Sequence, residues 1–128
     1  MILIVLSVLK EEIAFLIVYL IEYKEYSNYD SMKLANLNND YTYYKDKNTY
    51  YTVIGFSMNK DNLEKIKKIY KDINIIKCYI DNKIFIEKLK DYDQELSKED
   101  NENKIKEILN NIISTYHNNE VEILKVYN

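Results

Sequence analysis

A single glycine, Gly55, and no proline punctuate a chain of 128 residues. A phosphate-cradling loop needs several positions without a Cβ, so that backbone amides can close on the phosphates. The dinucleotide fingerprint and the nucleotide-triphosphate loop are therefore both excluded. Cys78 is the one cysteine, which rules out an intrachain disulfide and a cysteine-rich zinc site. It sits in the apolar run INIIKCYI and reads as a small buried hydrophobe. His117, the one histidine, falls near the end of a helical pattern, where the helix dipole favours a cation. Basic residues are not in excess: the net charge is −3 with both signs interspersed, and 14 tyrosines add no positive footprint. No nucleic-acid partner is expected. Neither a cofactor nor a metal is implied.

What the chain does have is apolar residues, 47% of the total, enough for one domain with a real core. We expect a single α/β domain over residues 1–128. The opening stretch, MILIVLSVLKEEIAFLIVYLIEY, would pass for a membrane span without Lys10, Glu11 and Glu12. A charge near the centre of a span costs about 2.5–3.5 kcal/mol and a strong apolar residue returns about 0.3–0.6, so three charges cancel most of the gain. Two readings stand. One is an anchor through residues 1–23. The other is a buried strand over residues 2–9, followed by a helix over 10–26 with Glu11 and Glu12 in its first turn, where exposed amides and the dipole stabilise carboxylates. The second makes use of the charges. No basic segment or small-residue cleavage site marks a secretory signal, so a cytoplasmic location is expected, with the anchored form as the alternative. A helix over residues 13–21 would be apolar around its whole circumference, and we expect a homo-oligomer or a partner chain to cover it.

The remaining elements follow from periodicity. Residues 26–48 are polar, with a weak strand at YTYYK, and DKN turns this into TYYTVIGFS to make a hairpin near 41–57. Ser57 or Asn59 can cap a helix marked by Leu63, Ile66, Tyr70 and Ile73. NIIKCYI is a buried strand. Phe85, Leu89, Tyr92 and Leu96 mark one amphipathic helix, and Ile105, Ile108, Leu109, Ile112, Ile113 and Tyr116 a second. VEILKVY can close the sheet as an edge strand. The order is strand-helix-hairpin-helix-strand, then two helices and the edge strand. DYDQELSKEDNE puts Asp91, Asp93, Glu95 and Glu102 at calcium-loop spacing, but Leu96 replaces the glycine of the sharp turn. A solvated helix end is the expectation there.

A strand followed by KEEI, a helix, a hairpin and a helix resembles the N-terminal half of the nucleoside phosphorylase family, especially the methylthioadenosine/adenosylhomocysteine nucleosidases. The resemblance covers about residues 1–80, leaving 81–128 as a helical extension. It implies a purine nucleoside as ligand, Lys60 as the lysine entering the second helix, and Glu12 as the general base that activates water. SMNK lacks the family's turn glycines, and YIDNK replaces its glycine-rich turn. The ribose-binding glutamate and base-protonating aspartate of the family have no counterpart. The implied protein is a truncated or degenerate nucleosidase with little hydrolysis of its own. TYYTVIGFSMNKDNLEKIKKIYKDINI also resembles the first strand and helix of a SPOR-type repeat, a small α/β module that binds peptidoglycan glycans. It leaves KEE unaccounted for and has no recognisable second half in the sequence.

Overall fold

The structure, a computed structural model, describes residues 17–127. The chain runs β1 (Ile17–Tyr26), α1 (Tyr29–Ala35), β2 (Thr42–Asp46), β3 (Thr49–Ser57), α2 (Lys60–Ile69), β4 (Asn74–Ile80), α3 (Lys83–Lys98), α4 (Glu102–Asn118) and β5 (Ile123–Tyr127). The expected α/β class holds, with two C-terminal helices and an edge strand. The expected strand over 2–9 and residues Lys10–Glu12 lie outside the described residues.

One element differs in kind. The helix expected over 10–26 is, from Ile17 onward, the central strand of the sheet. Ile17, Val18, Tyr19, Ile21, Tyr23 and Tyr26 are β-branched or aromatic, and these favour a pleated surface packed on both sides. An apolar run without polar punctuation suits a buried helix and a central strand equally; pairing on both edges decides for the strand. Val18, Leu20 and Ile21 are fully buried within this one chain. Of residues 13–21, Val18, Leu20 and Ile21 are covered by the chain's own sheet and helices, Ile17 and Tyr19 are half-buried, and 13–16 lie outside the described residues. Of the anchor considered over residues 1–23, the described part, 17–23, belongs to this strand, and the rest lies outside the described residues. Among the described residues no helix is long and apolar enough to cross a membrane.

The helix between the first strand and the hairpin is α1 instead. Asn28 caps it by accepting from the Ser31 amide at 2.8 Å, and Met32 is its buried contact. With so short an apolar face, it left no helical period in the sequence.

All strand pairs are antiparallel, in the order β2-β3-β1-β4-β5. The first four strands with α1 and α2 form a split β-α-β-β-α-β arrangement. It consists of two successive β-α-β halves, one ending at Asp46 and the other starting at Thr49, joined by the Lys47–Asn48 hairpin turn. The sheet curls: Tyr44–Asp46 of β2 and Ile123–Val126 of β5 line opposite sides of one cleft of about 290 Å³. Phe56, Phe85 and Tyr116 fill the core beside this curl, with ring centroids 5.0–5.8 Å apart. Helix α4 ends in a Schellman turn, Val121 N–H to Tyr116 C=O and Glu120 N–H to His117 C=O, which directs β5 back to the edge of β4.

Helix α4 approaches β3 where Gly55 lies. A Cβ built on Gly55 would stand 2.8 Å from Leu109 Cδ2 and 3.3 Å from Ile21 Cδ1. The glycine is required for space and not for a left-handed backbone, since no glycine has a positive φ. We expect Gly55→Ala to destabilise the fold by about 1–3 kcal/mol in urea unfolding, as overpacked cores do. Adding Leu109→Ala should recover part of that loss, because the two substitutions share one contact. Strictly additive losses would show that Gly55 is not limited by Leu109.

Candidate functional site

Among the described residues a polar cleft of about 410 Å³ opens beside the sheet. Tyr23 and Lys24 of β1, Ile54 of β3, Asn36 and the loop through Asp40, Tyr70 at the end of α2, and Lys106, Leu109 and Asn110 of α4 line it. Its volume lies in the range of small-molecule sites, about 300–1,000 Å³.

Two breaks in the β1–β3 ladder build this cleft. Ile21 pairs with Gly55 and Glu22 with Val53, so Ile54 is an extra residue on β3. Glu22 pairs with Val53 and Glu25 with Tyr51, so Tyr23 and Lys24 together face the single residue Thr52. Bulges of this kind re-aim side chains. Here each bulge delivers cleft residues: Ile54 from one strand, Tyr23 and Lys24 from the other. Thr52 holds the second bulge in place. Its buried hydroxyl accepts from the Lys24 amide at 3.0 Å and donates to the Lys24 carbonyl at 2.8 Å.

The walls are aromatic and amide-rich. Tyr23 and Tyr70 meet edge to face at 5.6 Å and 72°. Lys24 Nζ stands 5.0 Å from the Tyr23 centroid, and Lys106 Nζ 5.6 Å from that of Tyr70. Burial raises the pKa of the Tyr70 hydroxyl, so it is a neutral donor at physiological pH. Lys106, Leu109 and Asn110 share one helix face by their i, i+3, i+4 spacing. Asn36 is 6% exposed; its Nδ2 donates to the Met32 carbonyl at 2.8 Å and to Tyr26 Oη at 3.4 Å. Its Oδ1 accepts nothing from the described residues. No fully buried side-chain oxygen or nitrogen among them lacks a partner. The Asn36 oxygen therefore keeps solvent access, and the cleft is the opening that its residue lines.

A second polar cluster is structural. Asp93, on the inner face of α3, accepts from Ser57 Oγ at 2.5 Å, the Met58 amide at 2.9 Å and Asn62 Nδ2 at 3.4 Å. Asn62 also donates to the Asp93 carbonyl at 2.9 Å. The carboxyl thus ties α3 to the β3–α2 junction. Burial raises its pKa, and the donors from Ser57, Met58 and Asn62 oppose the rise without cancelling it. Nearby, Lys65 donates to the Leu96 and Glu99 carbonyls at 2.7 and 2.8 Å and so caps the C-terminus of α3. Inside the curl of the sheet, Tyr44 donates to Glu22 Oε2 at 2.7 Å, which with burial keeps the tyrosine protonated.

The residues singled out in the sequence fare unequally. Glu12, the tentative general base, lies outside the described residues. Lys60 opens α2 with its Nζ 6.0 Å from the Tyr19 centroid, away from the cleft lining. Asp91, Asp93 and Glu95 belong to the regular helix α3, which turns Asp93 inward and leaves Asp91 and Glu95 on the exposed side, so Asp93 is buried where a solvated acid was expected. Among the described residues no group of histidine, cysteine, aspartate and glutamate could hold a metal ion. His117 lies in the last turn of α4 with Nε2 3.0 Å from the Tyr41 carbonyl. Cys78 is fully buried, and burial pushes its thiol up to about 12. The cleft residues were missed. Tyr23 and Lys24 fell in the run read as helix, and NLNND had only its asparagine content to mark it as a loop with exposed amides. Comparison of the chain with protein-family models, curated proteins and solved structures finds no match.

Three outcomes are expected. Cys78 should not react with an aromatic disulfide reagent at mildly alkaline pH until the protein is unfolded; fast labelling of the native state would contradict its burial. Thr52→Val should cost about 1–3 kcal/mol, because it leaves the bulge amide and carbonyl of Lys24 unpaired. The third concerns Asp93. Its folded pKa is raised above its unfolded value, so its contribution to stability is fully present below the unfolded pKa and is lost as pH rises through the folded one. Between about pH 4 and 7, urea unfolding should show wild type losing stability relative to Asp93→Asn as pH increases. A constant difference would mean that the pKa is not shifted.

Proposed function

We propose that this chain is a glycan-binding module of the SPOR kind, a non-catalytic domain that recognises peptidoglycan strands. The observation that carries the reading is the split β-α-β-β-α-β arrangement. The segment from Thr49 to Ile80, which contains the stretch resembling a SPOR-type repeat, forms the second β-α-β half. Residues Ile17–Asp46 form a first half of the same element order, which supports a two-half module. A cleft walled by tyrosines and asparagines adds support, since sugar hydroxyls need partners that both donate and accept. Fold alone would not suffice, because the same arrangement serves unrelated functions. RNA-binding modules also use such a sheet, but a net charge of −3 offers no phosphate footprint. Under this reading the chain works where peptidoglycan is exposed, and not in the cytoplasm.

The nucleoside reading receives less support. It relied on a helix following Glu12, and the described part of that helix is the central strand of the sheet.

Cosedimentation with purified peptidoglycan sacculi tests the proposal. The protein should pellet with sacculi and return to the supernatant when a muramidase cuts the glycan strands, while duplex DNA should not retain it. Adenine release from methylthioadenosine should stay at background for both wild type and Glu12→Gln. Failure to pellet would overturn the glycan reading. Turnover abolished by Glu12→Gln would restore the nucleosidase.

A further inference from the structure

We infer that the open edge of β5 is the docking site of the chain's own residues 2–9, ILIVLSVL, which add to it as a sixth strand. The inference is independent of the glycan reading. Its starting point is an unpaired edge. Among the described residues β5 pairs with β4 alone, and its other edge faces the cleft of about 290 Å³ that the curl leaves in front of β2. An open edge offers a row of free amides and carbonyls, which proteins commonly protect with charge, proline or a cover. β5 carries a single charge, Lys125, in five residues. Its Leu124, the extra residue of a bulge against β4, is 52% exposed, and Tyr127 is 38% exposed. Ile123, Leu124 and Val126 line the cleft. An apolar strand laid along this edge would cover them.

The ladder registers say which segment is within reach. Ile17, where β1 begins, pairs with Tyr79, and Tyr79 pairs with Lys125. Tyr19 pairs with Lys77, and Lys77 with Tyr127. The start of β1 therefore lies level with β5. β2, on the far side of the cleft, lies level with the other end of β1, since Thr42 pairs with Val53 and Val53 with Glu22. Measured across the sheet, the place beside β5 is three strand spacings from β1, about 14 Å. Residues 10–16 join ILIVLSVL to Ile17, and seven residues span up to about 23–25 Å.

Direction agrees with reach. β1 and β5 both pair antiparallel with β4, so they run the same way. A segment that doubles back into β1 runs opposite to it, and hence antiparallel to β5, like every other pair in this sheet. Strand alternation puts Ile2, Ile4, Leu6 and Val8 on one face, wholly apolar and suited to the cleft, with Ser7 on the other. Lys10, Glu11 and Glu12 then fall in the connection at the end of the sheet, where charges can stay in water. Tethering favours this occupant over a second copy of the chain, because a short connection gives an effective concentration of the order of millimolar.

The test reads hydrogen exchange and paramagnetic broadening by amide-resolved NMR on the intact chain. The β5 amides that point away from β4 should exchange at least about tenfold faster in Val5→Pro than in wild type, because proline cannot donate to a ladder. The amides between β1 and β4 should keep their rates. A nitroxide on the Ser7→Cys variant, in a Cys78→Ala background, should broaden the amides of Ile123–Tyr127 more than those of Thr42–Asp46 across the cleft. If that background does not fold, the exchange comparison still decides. Equal exchange in wild type and Val5→Pro would overturn the docking, as would broadening that favours β2 or spares β5. Mixing nitroxide-bearing copies with isotope-labelled copies that carry none should broaden nothing. Broadening of β5 in that mixture would assign the edge to a second copy instead.

Discussion

The contact of Leu109 with the sheet at Gly55 is the constraint on which the rest of the molecule depends. Helix α4 can lie against β3 only because one position carries no side chain, with Leu109 filling the place of the missing Cβ. That approach sets the rotation and height of the whole helix. It brings Tyr116, two turns further on, into stacking contact with Phe56 at 5.0 Å. It also places Lys106 and Asn110 on the cleft wall, on the same face as Leu109. One close contact therefore couples the packing of the core to the shape of the site.

The first helix of the C-terminal pair, α3, adds a polar tie to its apolar packing. Asp93 joins α3 to the β3–α2 junction through donors from Ser57, Met58 and Asn62, and Lys65 closes the exposed carbonyls at the end of α3. Buried polar groups are costly unless partnered, and no fully buried side-chain oxygen or nitrogen among the described residues is left without a partner. Apolar packing would allow α3 to slide along the sheet by a turn. A directional network with several short bonds does not, so α3 has one register, and so does the α4 helix that follows it after a short connection.

The candidate site comes from departures from regularity. The sheet is ordinary where it is only structural: Leu20 faces Phe56 and Ile76, and Val18 faces Cys78, in continuous ladders. It is interrupted at Ile54 and at Tyr23–Lys24, where its residues turn toward the cleft. The cost of those interruptions is limited by Thr52, whose hydroxyl satisfies both backbone groups of Lys24. A regular ladder would have buried or exposed these side chains by simple alternation, and no cleft would form between sheet and helix.

Much of the architecture was legible in the sequence, for reasons that can be named. The α4 stripe of Ile105, Ile108, Leu109, Ile112, Ile113 and Tyr116 fixes a helix and its buried face, because a 3.6-residue period has no other use. The hairpin, the Asn59 cap of α2 and the β4 run were equally local signals. Helix α1 was not, since Met32 alone carries its burial. Nor was β1: a run such as IVYLIEY satisfies a buried helix and a central strand alike, and only the availability of β3 and β4 as partners resolves it. The cleft belongs wholly to that second kind of information. A bulge is a mismatch between two strands, so neither strand contains it, and the asparagines of NLNND face Tyr23 and Asn110 only after sheet, loop and helix have met. Local sequence determined the hairpin and helices α2, α3 and α4; the tertiary structure alone decided helix α1, the central strand and the candidate cleft, because these depend on residues distant in the chain.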